Sequence, residues 1–125
     1  MKFVPETQDG VNMVSRHEPG RLWVGAVAHE GSLLVPWTGP VQPWAARRLA
    51  DLTQADFERM AALQPELVIF GSGARMQFAP PALLRPLIER GIGIESMDTA
   101  AACRTYNVLV SERRAVLAAL LLAAP

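Results

Sequence analysis

ELVIFGSGARMQFAPP, residues 66–81, joins a short apolar run to a pair of prolines through Gly71-Ser72-Gly73. Residues 66–70 are rich in β-branched and aromatic side chains and lie between Pro65 and Gly71, which predicts a buried strand. Pro80 and Pro81 fit a first helical turn, where a missing N–H is no loss. Leu83, Leu84, Leu87 and Ile88 then make an apolar stripe with Gly91 as its cap. Pro86 inside that stripe removes a hydrogen bond at a cost of about 3 kcal/mol, so a kink or break is expected near Arg85. GIGIESM, residues 91–97, reads as the next strand. A strand, helix, strand unit of this length implies a right-handed crossover between parallel strands, near 66–70 and 93–97.

The same glycines raise a chemical question, because an acidic residue, Glu95, follows them as it would in a dinucleotide-binding fingerprint. That fingerprint needs a third glycine for close helix packing and a loop that opens directly onto helix amides. Met76 stands at the third position, and residues 74–79 separate the glycines from the Pro-Pro helix start. A Walker loop is excluded because no Gly-Lys-Ser/Thr follows. The loop reads as a structural turn at the carboxyl end of a parallel strand, the rim where α/β sheets keep their crevices.

Downstream, DTAAACRTYNVLVSE (98–112) is a helix with Asp98 or Thr99 as its N-cap. At 100° per residue, Ala102, Cys103, Tyr106, Leu109 and Val110 share one arc, and Arg104, Thr105, Asn107, Ser111 and Glu112 the other. Val108 is an apolar residue among the polar group. RRAVLAALLLAAP, from 113, is ambiguous by itself: alanine and leucine favour helix, while Val116, Ala118, Leu120 and Leu122 alternate as in a strand. Upstream, Thr53 caps a helix over about 54–63 that Pro65 ends. Its signs are Asp56 at the third helical position and Leu52 placed to pack on Phe57. Residues 22–28 and 32–37 are two apolar runs around His29-Glu30-Gly31 and predict an N-terminal β-hairpin. Pro40 and Pro43 mark a connection with a turn of helix at 44–49. Residues 1–20 are polar and broken by Pro5, Gly10, Pro19 and Gly20, an irregular surface arm with at most a short strand at 11–14.

At 125 residues and half hydrophobic, the chain fits a single domain, 1–125, able to bury a full core. Twelve basic and twelve acidic residues leave no net field for nucleic acid or an anionic membrane surface. One cysteine forms no internal disulfide, and two histidines without a cysteine pair give no zinc spacing. There is no signal-peptide core and no run of eighteen apolar residues, so the expected setting is soluble and cytoplasmic, with no membrane partner.

Three segments, FGSGARMQFAPP, RGIGIESMDTAAACRTYNVLVSE and the Ala-Leu tail, carry Gly-Ser-Gly, Met-Asp-Thr and Arg-Thr-Tyr-Asn in that order. In these the chain resembles a small uncharacterised α/β domain family that includes the mitochondrial NADH:ubiquinone oxidoreductase complex assembly factor 3 and the adipogenesis-associated domain-containing protein. The resemblance covers most of the chain from Leu22 onward. It implies a three-layer α/β domain with a central mixed sheet whose last strand, 114–122, is antiparallel. It also implies an assembly role through binding another protein, as in the mitochondrial members. It supplies no catalytic residues. Arg113 stands where the family usually has glycine or another small residue.

Two functions follow as expectations. The first is a protein-interaction domain without catalysis, with a protein partner, homo-oligomers also admissible, and no cofactor or metal. It is motivated by the lack of a catalytic set, by Val108, and by Trp23, Trp37 and Trp44, aromatic residues being favoured at interfaces. The alternative is a small-molecule or anion pocket formed by Gly71, Ser72, Gly73, Arg75, Asp98, Arg104, Thr105 and Asn107. Asp98 also reads as a helix cap, Cys103 as a buried inert thiol, and His17 and His29 as surface residues.

Overall fold

A computed structural model describes residues 10–123. Residues 1–9 of the expected arm lie outside the described residues. Two sheets are formed. The first is antiparallel and three-stranded, in the order β1 (Val14–Glu18), β2 (Arg21–Val24), β3 (Val27–Glu30). The second contains β4 (Leu33–Pro36), β5 (Gln42–Pro43), β6 (Leu67–Gly71), β7 (Gly93–Met97) and β8 (Val116–Leu120), in the order β5-β4-β8-β6-β7. β6 is parallel to both β7 and β8, and β8 is antiparallel to β4, so the sheet is mixed.

Three helices cover this sheet: α1 (Gln54–Ala62), α2 (Arg85–Glu89) and α3 (Thr99–Ser111). Side-chain alternation sorts the core into two halves. Leu34, Val68, Phe70, Leu117 and Ala119 pack with Phe57 and Met60 of α1 and Leu87 of α2. Leu33, Val35, Ile69, Val116, Ala118 and Leu120 pack with Ala102, Tyr106 and Val110 of α3 and with Val14, Leu22 and Val24 of the small sheet. The last strand is buried on both faces and flanked by β4 and β6, which explains why the Ala-Leu tail is apolar without a polar side.

The sequence reading holds for α1, for the parallel pair β6 and β7, and for α3. The Thr53 N–H donates to Asp56 Oδ2 at 2.8 Å, as the capping pattern requires. Pro86 does break its segment: a one-turn 3-10 helix at Pro81–Leu83 stops, Leu84 leaves helical geometry at ψ 0°, and α2 restarts with Pro86 in its first turn. Arg113 adopts φ +65°, the left-handed conformation that glycine takes more readily and that ends α3 before β8.

Upstream, the structure corrects three placements. The N-terminal hairpin does not turn at His29-Glu30-Gly31. The first apolar run folds on itself, Val24 pairing with Val27 across Gly25 at φ +58° and Ala26. A glycine that looked like a strand interior is the turn, because a two-residue hairpin loop favours positive φ. The second run crosses to the other sheet and pairs with β8, Leu33 opposite Leu120. Residues 14–18, expected in the irregular arm, are β1, and Val11 contributes only a single bridge to Thr38. The helical turn expected at 44–49 occurs as a 3-10 turn at Leu49–Asp51.

One contact fixes how α3 seats on the sheet. A Cβ on Gly71 would lie 3.0 Å from Thr99 Cα, 3.1 Å from Ala102 Cβ and 3.1 Å from Leu120 Cδ2. Two of these neighbours belong to α3, one of them backbone, so the helix cannot yield by a side-chain rotation alone. We predict that Gly71→Ala lowers the unfolding free energy by about 1–3 kcal/mol, the usual cost of overpacking. Urea denaturation of the two proteins, with unchanged m-value, measures it.

Candidate functional site

The carboxyl ends of β6, β7 and β8 meet at one rim. Gly71 is in register with Met97 on one side and with Leu120 on the other. Beyond the strands the chain continues to be stitched together. The Ser72 N–H donates to Met97 O at 2.9 Å, and the Leu121 N–H donates to Gly71 O at 2.9 Å. Gly73 and Thr99 bond reciprocally: the Thr99 N–H donates to Gly73 O and the Gly73 N–H donates to Thr99 Oγ1, each at 2.9 Å. The Thr99 hydroxyl then donates to Leu121 O at 2.8 Å. Ser72 Oγ accepts from the Gln77 N–H at 2.8 Å and lies 2.7 Å from Arg75 O, closing residues 72–77 into a turn. The glycine loop therefore directs its amides inward, the opposite of a phosphate cradle.

Two grooves open beside this rim. The first, about 250 Å³, is lined mainly by carbon: Pro19 and Gly20 from the β1–β2 turn, Ala74, Ala100, and Leu121 to Ala123, with His17, Glu18, Gly73, Asp98 and Thr99. Its charged groups are carboxylates, and no lysine or arginine lines it, so it disfavours an anion. The second, about 300 Å³, is lined by Val14, Ser15, Arg16, His17, Ala100, Cys103, Arg104 and Asn107. His17 and Ala100 belong to both. Burial pushes the His17 imidazole below its ordinary 6.5, and the Asp98 carboxylate partly opposes that shift.

The eight residues proposed for a pocket are thus divided. Gly73 and Asp98 line the first groove, Arg104 and Asn107 the second. Gly71 and Ser72 are buried in the stitching. Arg75 and Thr105 line neither groove. Asp98 accepts from the Ala101 N–H at 2.8 Å and is the cap of α3. Asn107 was placed on the solvent arc of its helix, but its Oδ1 accepts from the Val14 N–H at 2.9 Å and its Nδ2 donates to Val14 O at 2.7 Å. This amide copies a strand's backbone pairing and ties β1 to α3. Next to it, the Tyr106 hydroxyl lies 2.8 Å from Asn12 O and 3.1 Å from Pro36 O, and burial pushes its pKa up. Arg104 is exposed and makes none of the ion pairs among the described residues.

Sequence reasoning missed His17 because β1 was hidden in a polar segment. A signal existed, since Val14 and the apolar side chains of β2 alternate toward one core. The tryptophans do not form a common patch. Trp44 is buried in the α1 half of the core, Trp37 packs against the α3 half, and Trp23 lies beneath the guanidinium groups of Arg16 and Arg21, 4.9 and 5.7 Å from its ring centre. Among the described residues, no three His, Cys, Asp or Glu side chains gather as metal ligands. No helix among the described residues is long and apolar enough to cross a membrane.

Cys103 is buried on α3, and that burial raises its thiol from 9.0 to about 12, against a smaller opposing pull from Arg104. The thiolate is the reactive form, so the folded protein should resist iodoacetamide at pH 8 while the urea-unfolded chain is modified within the same interval. Mass spectrometry of the two samples checks this, and equal labelling would contradict the assignment.

Residues 14–121 match the family model described as a protein of unknown function (DUF498/DUF598). Among curated relatives, an uncharacterized protein of Rhodobacter capsulatus is 36% identical over 118 residues, covering 90% of this chain and 86% of the relative. The bovine NADH dehydrogenase [ubiquinone] 1 alpha subcomplex assembly factor 3 is 29% identical over 124 residues, covering 89% of this chain. The chain spans 66% of that assembly factor's own length. Among solved structures, the solution structure of a Bordetella pertussis protein, a Mth938-like domain, aligns with a TM-score of 0.86 at 30% identity, covering 99% of this chain and 94% of that one. The chain belongs to the DUF498/DUF598 family.

Proposed function

We propose that this member of the family is a non-catalytic protein-binding domain that assists the assembly of a larger protein complex. The observation that carries the reading is the use of polar groups at the rim. Ser72, Thr99, Asp98 and Asn107 are each taken up by backbone partners within the fold, and the Cys103 thiol, which lines the second groove with His17, is held in its unreactive protonated form by burial. The likeness to an assembly factor supports the same reading. Exposed apolar side chains, among them Phe78 and Val108, offer contact area of the kind partners cover. The lone Cys103, buried and unpaired, supports a reducing, cytoplasmic setting.

A second reading rests on the first groove. A carbon-lined opening of about 250 Å³ at the carboxyl ends of parallel strands suits a small neutral or cationic molecule with an apolar body.

The two are separated by paired experiments on the full chain. Affinity purification from its own cells, followed by reconstitution of the identified partner and light scattering, should give a stable heteromeric complex. A metabolite panel should leave the melting temperature unchanged. A ligand present at 100 times its Kd would add about 2.7 kcal/mol, an upward shift on the order of 10 °C. Such a shift, removed by filling the groove with Ala100→Trp and unaccompanied by any stable complex, would overturn the protein-binding reading in favour of the groove.

A further inference from the structure

The two edges of the five-stranded sheet are treated differently. The β5 edge is two residues long, contains Pro43, and has its carbonyl occupied: Arg59 Nη2 donates to Pro43 O at 2.7 Å, while Arg59 Nε donates to Gln42 Oε1 at 3.0 Å. These are the devices that close an edge to a further strand. The β7 edge is neither short nor interrupted by proline, and its one charged side chain is Glu95. It is five residues long, paired only with β6, and among the described residues the only bonds it makes outside that pairing are those of Ser72 to Met97 O. Alternate backbone groups of residues 93–96 therefore point outward without a protein partner.

Side chains beside this edge are suited to contact. A groove of about 420 Å³ is lined by Phe78, Ala79, Leu84, Ile94, Glu95 and Ser96. Phe78 is 72% exposed and nearby in sequence Met76 is 45% exposed, large apolar groups left in water at the loop that skirts the edge. Glu95 is exposed at the centre of β7 and belongs to none of the ion pairs among the described residues.

The position of that charge selects the occupant. A second copy pairing antiparallel with full overlap would set Glu95 directly against Glu95, and like charges opposite each other in a sheet repel. A basic residue at that place would attract. Because side chains alternate, a strand presenting lysine or arginine on the Glu95 face presents its intervening residues on the Ile94 face.

We infer that the free edge of β7 accepts an extended segment of a protein partner as a sixth strand, one in which basic residues opposite Glu95 alternate with apolar residues packed beside Ile94 and Phe78. The inference deepens the protein-binding reading above by giving it a surface and a partner chemistry. Main-chain hydrogen bonds supply the attachment and the alternating side chains supply the choice of segment.

The test uses the full chain labelled with ¹⁵N and nine-residue synthetic peptides alternating valine or isoleucine with lysine, glutamate replacing lysine in the control. The lysine peptide should shift the amides of residues 93–97 and of Phe78 and Ala79 in a saturable way. The glutamate peptide should bind about 10-fold more weakly or worse. Glu95→Lys, an exposed substitution whose fold is checked by the same spectrum, should reverse that preference, and Phe78→Ala should weaken both. No binding, shifts confined to the strand-tip grooves, a preference untouched by Glu95→Lys, or a dimer in sedimentation with residues 93–97 protected from exchange would each overturn the inference. Failure to capture any partner from cells removes the assembly reading and leaves this titration to decide the edge. A captured partner whose complex ignores Glu95→Lys removes the edge alone.

Discussion

The hydroxyl of Thr99, a residue only 2% exposed, lies where three chain segments leave the sheet together. It accepts from the Gly73 N–H and donates to Leu121 O, and its own backbone N–H returns a bond to Gly73. Three strand ends are thereby fastened to the first residue of α3. A buried donor or acceptor left without a partner costs about 1–3 kcal/mol, against a net stability of roughly 5–15 kcal/mol for a domain of this kind. One threonine therefore controls a substantial share of the margin. The same seating leaves little room for a side chain at Gly71, because a Cβ there would lie 3.0 Å from Thr99 Cα.

This arrangement gives a physical reason for the small glycine motif that opens the loop. Gly71 is needed for close approach, Ser72 for closing the turn, and Gly73 for its φ of +103°. None of these demands involves a ligand. A motif that resembles a phosphate loop in one dimension is, in three, the joint between a sheet and a helix. Two of the three words that carry the resemblance to the family, Gly-Ser-Gly and Met-Asp-Thr, are parts of that joint, and the third, Arg-Thr-Tyr-Asn, ties α3 to β1 through Asn107.

Much of the fold was legible because local and global preferences agree there. Thr53 and Asp56 cap α1, Pro86 interrupts its helix, and the arc from Ala102 to Val110 faces the core, all from spacing alone. The amino-terminal third was less legible. Gly25 inside an apolar run has the same appearance whether it weakens a strand or turns it, and only pairing with a third strand decides. The site was legible as a place but not as a chemistry. Adjacent strand tips follow from the crossover rule, whereas Asn107 bonding to Val14 spans 93 residues and no short-range pattern announces it. His17 came to the rim through the same unread strand.

The molecule that results has one end stitched shut and one side left open. The first groove at its rim holds carboxylates and no lysine or arginine, and Ser72, Thr99, Asp98 and Asn107 bond within the fold, while β7 offers unpaired backbone beside exposed Phe78. The protein-binding role proposed above has use for such an asymmetry: the joint fastens the strand ends at one place and leaves an edge available at another. The account stands or falls with the joint, and native-state hydrogen exchange together with urea unfolding of Thr99→Val measures it most directly. The substitution keeps shape and removes the hydroxyl, so the Gly73 amide should lose its protection and the unfolding free energy should fall by about 1–3 kcal/mol. Unchanged exchange at Gly73 with unchanged stability would contradict the claim that this hydroxyl holds the strand ends to the helix.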